Sequence, residues 1–400
     1  MYIGEDGTIN VSAVREKFDN CIFFLDEAHY FRNNYSAKRT SDKNTIEDTY
    51  RRVYQLLESL TNYKLVISTA TPMIDKTSDF VPLINLLTIG DADLPPLNEN
   101  EDYGRLPNYQ FLEKYFNGRV AYIKALPIGV RVVYQGLDLH ITKGHSTKVV
   151  PLLMEPYQSE RYNNLLINNP NGYASGIYIQ PRLTGTFTHD ESKTMAKELL
   201  AKNVEIRESY YTDLRKNLGD YSVKFKYIMD YIEANDRAGI KKLYFIYWDL
   251  LEGGLVDLAN AFAAYGYDRY DGSRGIFETE VVRGGKRVTS KVSSYCAATN
   301  TAGERILTPF SKNFPKKKRF TMLSGATQNV NKRRIKQAFT HPDNRYGEYI
   351  QVIIGSAVTR LGLNFENVTE MFFIGPSWNY GDFYQAMFRI LRAQSHLDLI

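Results

Sequence analysis

An α/β protein built on parallel sheets is the fold these 400 residues predict, and three observations predict it. Short apolar runs, NCIFFL at 20–25 and KLVIS at 64–68, have the length and flanks of buried strands rather than helices. Between them, IEDTYRRVYQLLESLT at 46–61 places its apolar residues at helical spacing, with Thr45 in position to cap it. A strand, a helix and a second strand in that order form a βαβ unit, which requires parallel pairing. The same alternation returns from about residue 220 onward.

Taken in order, residues 90–108 turn to Asp, Pro, Asn and Gly and read as a loop, and 109–185 mixes short helical and extended pieces without a clean period. NNPNGYASG, 168–176, is a loop by its turn residues. YSVKFKYIMDYIEA, from Tyr221, is helical; KKLYFIYW, 241–248, is a buried strand; GGLVDLANAFAAYGY is a helix ending near Gly266. RFTMLSG (319–325), YIQVIIGS (349–356) and TEMFFIG (369–375) are strands, NKRRIKQAF is a helix between the first two, and DFYQAMFRILRAQ (382–394) is a closing helix. Residues 272–315, rich in Gly, Ser, Thr and charge, read as a mobile excursion.

Composition narrows the function classes. Apolar residues make up 43% of the chain, enough for a substantial core. Two cysteines, Cys21 and Cys296, exclude a disulfide framework and a cysteine-based zinc cluster, and fit a reducing compartment. No run approaches the roughly 18 apolar residues of a membrane span, and the first twenty residues carry four acids and no apolar block, so neither a membrane segment nor a leader is expected. The net charge of +5 permits a nucleic-acid partner. Basic residues gather at 316–319 and again at Lys332, Arg333, Arg334 and Lys336.

Chemistry concentrates where predicted strands end. In FFLDEAHYF, 23–31, a strand closing at Leu25 delivers Asp26 and Glu27 to the carboxyl edge of a parallel sheet, where ligands of open sheets bind. An Asp there can hold Mg²⁺, and the next carboxylate can orient an attacking water in phosphoryl transfer. His29 then sits where it can sense the bound nucleotide. The alternative is a helix N-terminus that merely favours acids. STATP, with Ser68, Thr69 and Thr71 at the end of the next strand, offers hydroxyls to those carboxylates. Gln385, Arg389 and Arg392 fall at i, i+4 and i+7, an amide and two guanidiniums on one helical stripe suited to a polyphosphate; a basic solvent face is the alternative. GSAVTRLGLNF, 355–365, places Gly362 and Asn364 in a polar loop after another strand, where glycine permits close backbone approach.

In order along the chain, LDEAH, STATP, YFIYW, LSGAT, IIGSAVTRLGLNF and QAMFRILRAQSH resemble motifs II to VI of superfamily 2 helicases. FLDEAHYFRN, MEPYQSERYN (154–163), GPSWN (375–379) and the closing QSH are similar to the SNF2-like branch of large cytoplasmic DNA viruses, of the poxvirus nucleoside triphosphatase and early-transcription-factor type. The resemblance implies two RecA-like lobes: the C-terminal part of a first lobe over 1–150, a connector over 151–219, and a second lobe over 220–400 interrupted at 272–315. It implies ATP and Mg²⁺ as cofactors, with Asp26 on the metal and Ser68, Thr69, Thr71, Gly362 and Asn364 toward the nucleotide. It further implies nucleic acid as partner, DNA ahead of RNA, viral RNA polymerase or transcription factor subunits as protein partners, and a cytoplasmic viral factory or virion as location.

Three departures qualify the resemblance. No Gly-x-x-x-x-Gly-Lys-Ser/Thr phosphate loop occurs; the one Gly-Lys pair, Gly285-Lys286, is followed by Arg287 and has Glu280 where the first glycine belongs. The first lobe is therefore expected to be incomplete at its N-terminus and the chain to be part of a larger or split helicase. Phe388 stands where the family has glycine before the first arginine of the last motif, and Arg360-Leu361 precede Gly362 where the family has an acidic pair partner. The competing expectation is an inactive nucleic-acid-binding or scaffold subunit that kept the fold.

Overall fold

The computed structural model describes residues 9–29, 31, 46–69, 72–73, 77–98, 103, 110–121, 130–142, 145–168, 179–189, 204–283, 286–292, 298–299, 305–306, 308–356, 363–376, 380–391, 395–396 and 399. The chain divides into two compact units. One comprises Met1–Ala125 with Trp378–Gln385; the other comprises Leu126–Ser377 with Ala386–Ile400.

In the first unit, β1 (Cys21–Leu25) and β2 (Tyr63–Ile67) pair in parallel, Cys21 beside Tyr63 and Leu25 beside Ile67. The helix Ile46–Ser59 connects them, as the apolar spacing predicts. Asp19 sets the register from the amino end: it accepts from the Thr61 amide at 2.9 Å and the Thr61 hydroxyl at 2.8 Å. Those bonds, the backbone one foremost, hold the Asp19 carboxyl below its ordinary pKa. Side chains alternate along both strands. Phe23, Leu25, Leu65 and Ile67 face a core of Val14, Tyr50, Leu57, Leu60 and Leu86, while Ile22, Phe24 and Val66 are exposed on the other face. The short helix Val11–Phe18, capped by Asn10 accepting from the Ala13 amide, supplies Val14 to that core. A satellite core of Phe80, Ile84, Leu94, Tyr103 and Tyr115 joins the helices Val81–Leu87 and Gln110–Phe116.

The second unit begins with an antiparallel hairpin, β3 (Leu137–Thr142) and β4 (His145–Val149). Helices Pro156–Asn168, Ile179–Thr184, Val204–Tyr221 and Val223–Arg237 follow. Its centre is a five-stranded, wholly parallel sheet of β5 (Leu243–Tyr247), β6 (Asp268–Arg269), β11 (Arg319–Leu323), β12 (Val352–Gly355) and β13 (Val368–Phe373) in the order β13-β5-β12-β11-β6. Every residue of β5 and β12 is buried, because successive side chains enter different cores on the two faces. Tyr244, Ile246, Phe320 and Ile354 pack with the helices Val223–Arg237 and Val256–Ala264. Leu243, Phe245, Leu323 and Ile353 pack with the helix Asn329–Phe339. Each such side chain, fully buried, contributes about 1.5–3 kcal/mol.

Two expectations need correction. The insertion at 272–315, expected as a mobile excursion, carries regular strands where it is described. β7 (Phe277–Arg283) and β8 (Lys286–Val292) form a seven-pair antiparallel hairpin, and β9 (Ala298–Thr299) pairs with β10 (Arg305–Ile306). Its base is anchored: Phe277, Phe310 and Phe314 are buried. His341, fully buried, contacts the Phe277 and Phe310 rings. The closing helix is also shorter than the 382–394 span, running from Tyr380 to Met387. Residues 389 and 390 continue in tighter turns, the Arg389 amide reaching Ala386 and the Ile390 amide reaching Met387. The reason is tertiary: the Arg389 carbonyl accepts from the Phe365 amide at 2.8 Å, which a continuing helix would have required for itself. The loop read at 168–176 lies, from residue 169, outside the described residues.

Candidate nucleotide edge and its relatives

At the carboxyl end of β1 the chain turns sharply. Glu27 adopts a left-handed backbone, φ 52°, uncommon for a side chain of this kind and a local strain of the sort found at working sites. The turn is tied to β2 by two backbone bonds: the Ser68 amide donates to the Leu25 carbonyl at 2.9 Å and the Ala28 amide to the Ser68 carbonyl at 3.1 Å. The Ser68 hydroxyl donates to Asp26 Oδ1 at 2.6 Å, and the Glu27 amide donates to the same oxygen at 2.9 Å. Asp26 is thereby fixed in orientation while remaining exposed. His29 is buried, with Nδ1 3.1 Å from the Thr69 hydroxyl and 3.3 Å from a Glu27 carboxylate oxygen. Asp26, Glu27, His29, Ser68 and Thr69 thus form one connected polar group at one sheet edge; Thr71 lies outside the described residues.

The donor set suits a hard cation only in part. Among the described residues no group of three or more His, Cys, Asp or Glu could hold a metal. One fixed, exposed carboxylate is nevertheless the usual protein share of a Mg²⁺ that keeps waters and draws its remaining ligands from substrate phosphates.

In the second unit, Asn364 and Arg389 are brought together through the backbone, since Phe365, next to Asn364, is held by the Arg389 carbonyl. The Asn364 side-chain oxygen is buried and has no hydrogen-bond partner among the described residues. Arg389 is 4% exposed, which removes the basic-solvent-face alternative for this residue. Just beyond, the Asn367 amide donates to the Ser395 carbonyl, and His396 Nε2 lies 2.7 Å from the Val368 carbonyl. Gln385, which belongs to the first unit, is buried as well. Arg392 and Gly362 lie outside the described residues. The turn after β11 is closed by the Thr327 hydroxyl accepting from the Ser324 amide.

The basic run at 316–319 is neutralised where it stands. Lys317 pairs with Asp268 and Lys318 with Asp236, each at 2.7 Å, and Lys316 lies 4.0 Å from Glu348. Arg319 is buried over the Phe314 ring and donates to the Pro315 and Tyr349 carbonyls. Arg182 and Lys224, which no spacing in the sequence connects, converge instead on Trp248 at the end of β5.

Residues 279–394 match the family described as the helicase conserved C-terminal domain. A helicase-named protein of Invertebrate iridescent virus 3, 087L, is 25% identical over 96% of this chain and 34% of its own length. A second, 009L of Frog virus 3, is 24% identical over 97% of this chain and 35% of its own length. Nucleoside triphosphatase I of Melanoplus sanguinipes entomopoxvirus is 20% identical over 97% of this chain and 56% of its own length. The chain therefore spans from about a third to just over half of these relatives. Among solved structures, the Hef helicase domain of Pyrococcus furiosus is 12% identical with a TM-score of 0.33, covering 94% of this chain and 70% of that one. The match to the helicase C-terminal family over 279–394 and the helicase-named viral relatives along nearly the whole length support a superfamily 2 helicase of large DNA viruses.

Proposed function

We propose that this chain is part of an ATP-dependent helicase or translocase of the SNF2-like viral branch. In this reading it acts on nucleic acid, DNA ahead of RNA, during viral transcription in the cytoplasm, alongside viral RNA polymerase or transcription factor subunits. The observation that carries the reading is the connected edge of Asp26, Glu27, His29, Ser68 and Thr69. Asp26 would hold Mg²⁺ through its fixed carboxylate, and that ion, when bound, would offset phosphate charge. Glu27 would orient the attacking water. His29, touching both Glu27 and Thr69, would link the state of the carboxylate to the β2 end. Arg389 and Arg392 would stabilise transition-state charge, and Gln385 would position the phosphates.

The 400 residues contain no phosphate loop, so turnover in this reading needs one from a joined or partner segment. The test is a fusion bearing the phosphate-loop segment of a viral relative. Nucleic-acid-stimulated ATP turnover, abolished by Glu27→Gln, supports the reading; a correctly folded fusion with none sinks it. The absent loop is also the observation that favours the second reading, an inactive nucleic-acid-binding or scaffold subunit. Among the described residues no helix is long and apolar enough to cross a membrane.

A further inference from the structure

Trp248 follows β5 directly and is almost wholly buried at the carboxyl edge of the five-stranded sheet. Its indole occupies a slot that two glycines leave open. A methyl group on Gly375 would come within 2.3 Å of the ring, and one on Gly254 within 2.8 Å. Over this ring stand two cations from different helices: the Arg182 guanidinium at 4.8 Å and the Lys224 ammonium at 5.8 Å. Arg182 is oriented further by donating to the Pro376 carbonyl at 3.1 Å, beyond the end of β13. Both side chains remain partly exposed.

Two like charges on one apolar ring repel. A π-face offsets about 0.5–2 kcal/mol per cation, and the repulsion remains. Among the described residues no carboxylate lies within ion-pair distance of Lys224; burial, then the Arg182 charge, pushes its pKa down to about 8. The contrast with Lys316, Lys317 and Lys318, each matched with an acid, is internal to the same unit. An anion set between Arg182 and Lys224 would relieve the repulsion and favour the lysine's charged form. The carboxyl edge of an open parallel sheet is where such a ligand arrives.

We propose that Arg182 and Lys224, seated on Trp248, form a phosphate-binding subsite that takes a backbone phosphate of the bound nucleic-acid strand. The proposal rests on the nucleic-acid reading above. It is tested by titrating the whole chain against a fluorescent single-stranded oligothymidylate over a range of salt. Removing the cation that neutralises one phosphate of a single strand flattens the slope of log affinity against log salt by about 0.7. Lys224→Met and Arg182→Gln should each weaken binding several-fold at low salt and flatten the slope, and the double variant should flatten it by that amount. Lys224→Arg should retain the wild-type slope, which a folding defect would not permit, and Lys317→Met should change neither quantity. Wild-type affinity and slope in both Lys224→Met and Arg182→Gln would overturn the subsite and leave the nucleic-acid reading standing. No oligonucleotide binding by the wild type would overturn both. Loss of fluorescent-ATP binding with oligonucleotide binding retained would assign the anion to a nucleotide and overturn the proposal.

Discussion

Phe24 in β1 and Phe245 in β5 belong to parallel strands of the same length, yet Phe24 is 73% exposed and Phe245 is fully buried. The apolar character of the two strands is alike: CIFFL in one, LYFIY in the other. Their surroundings differ. β5 lies between β13 and β12 with a core on each face. Among the described residues β1 has one strand partner, and Ile22 and Phe24 are exposed together with Val66 of β2. All-parallel sheets are normally covered on both faces, and a two-stranded sheet is marginal alone. The second unit therefore carries its own stability. The edge with Asp26 and Glu27 rests on a sheet whose sequence is suited to more cover than the described residues give it.

A catalytic substitution would challenge this contrast most severely, because it asks whether the two units work on one nucleotide. In the phosphate-loop fusion, Arg392→Ala should cut turnover on the order of 10³-fold, as loss of transition-state charge stabilisation does, with much less change in ATP binding. Arg389→Lys should also be impaired, because an ammonium cannot repeat a planar two-pronged contact. Steady-state and binding measurements on the same preparations separate these, and an Arg392→Ala fusion with wild-type turnover would remove the arginine from the mechanism.

A more moderate effect bears on the two strands themselves. Ile354→Ala removes side-chain volume from a fully buried position in β12 and should cost about 2–5 kcal/mol. Phe24→Ser, on the open face, should stay within about 0.5 kcal/mol of wild type. Urea denaturation followed by tryptophan fluorescence and by circular dichroism reads both. A large loss in Phe24→Ser would show that this face is covered in solution.

The least of these effects is a pH dependence confined to the second unit. Burial holds the His341 imidazole below its ordinary pKa of 6.5, despite the Thr308 carbonyl and Asp343 acting the other way. Its Nδ1 accepts from the Asp343 amide, so Nε2 carries the proton donated to Thr308. A depressed histidine contributes stability that is present above the unfolded pKa and lost as pH falls through the folded one. Thermal stability should therefore decline as pH drops below about 6.5, and His341→Gln should flatten that decline. An unchanged pH profile in the variant would remove His341 as its source.

How much of this the sequence disclosed depended on how local the signal was. LYFIY and VIIG were legible because buried parallel strands are continuous apolar runs, and the Asp26 and Ser68 edge was legible because strand ends concentrate polar residues. The end of the last helix was not. QAMFRILRA keeps helical periodicity past Met387, and only the tertiary bond from the Phe365 amide to the Arg389 carbonyl shows why the helix stops there. The β7–β8 hairpin was a different miss: FETEVVR and KRVTSKV on either side of a Gly-Gly pair carry a hairpin signal in the sequence, which the polar composition of the insertion obscured. The convergence of Arg182 and Lys224 on Trp248 had no local signal, because it depends on how two helices pack beside a strand end.

In the proposed function, the connected group of Asp26, Glu27, His29, Ser68 and Thr69 serves phosphoryl transfer, and the 400 residues contain no loop of the kind that grips the phosphates. Backbone amides and a lysine in that loop supply much of the hold on the nucleotide. Steady-state ATP turnover by the 400-residue chain in Mg²⁺, with and without nucleic acid, beside its Glu27→Gln variant, puts this division of labour to the test. Turnover should stay at background in both proteins, with no difference between them. Robust Mg²⁺-dependent turnover by the chain, lost in Glu27→Gln, would show that the edge grips and cleaves its nucleotide without the loop, and the division of labour would fall.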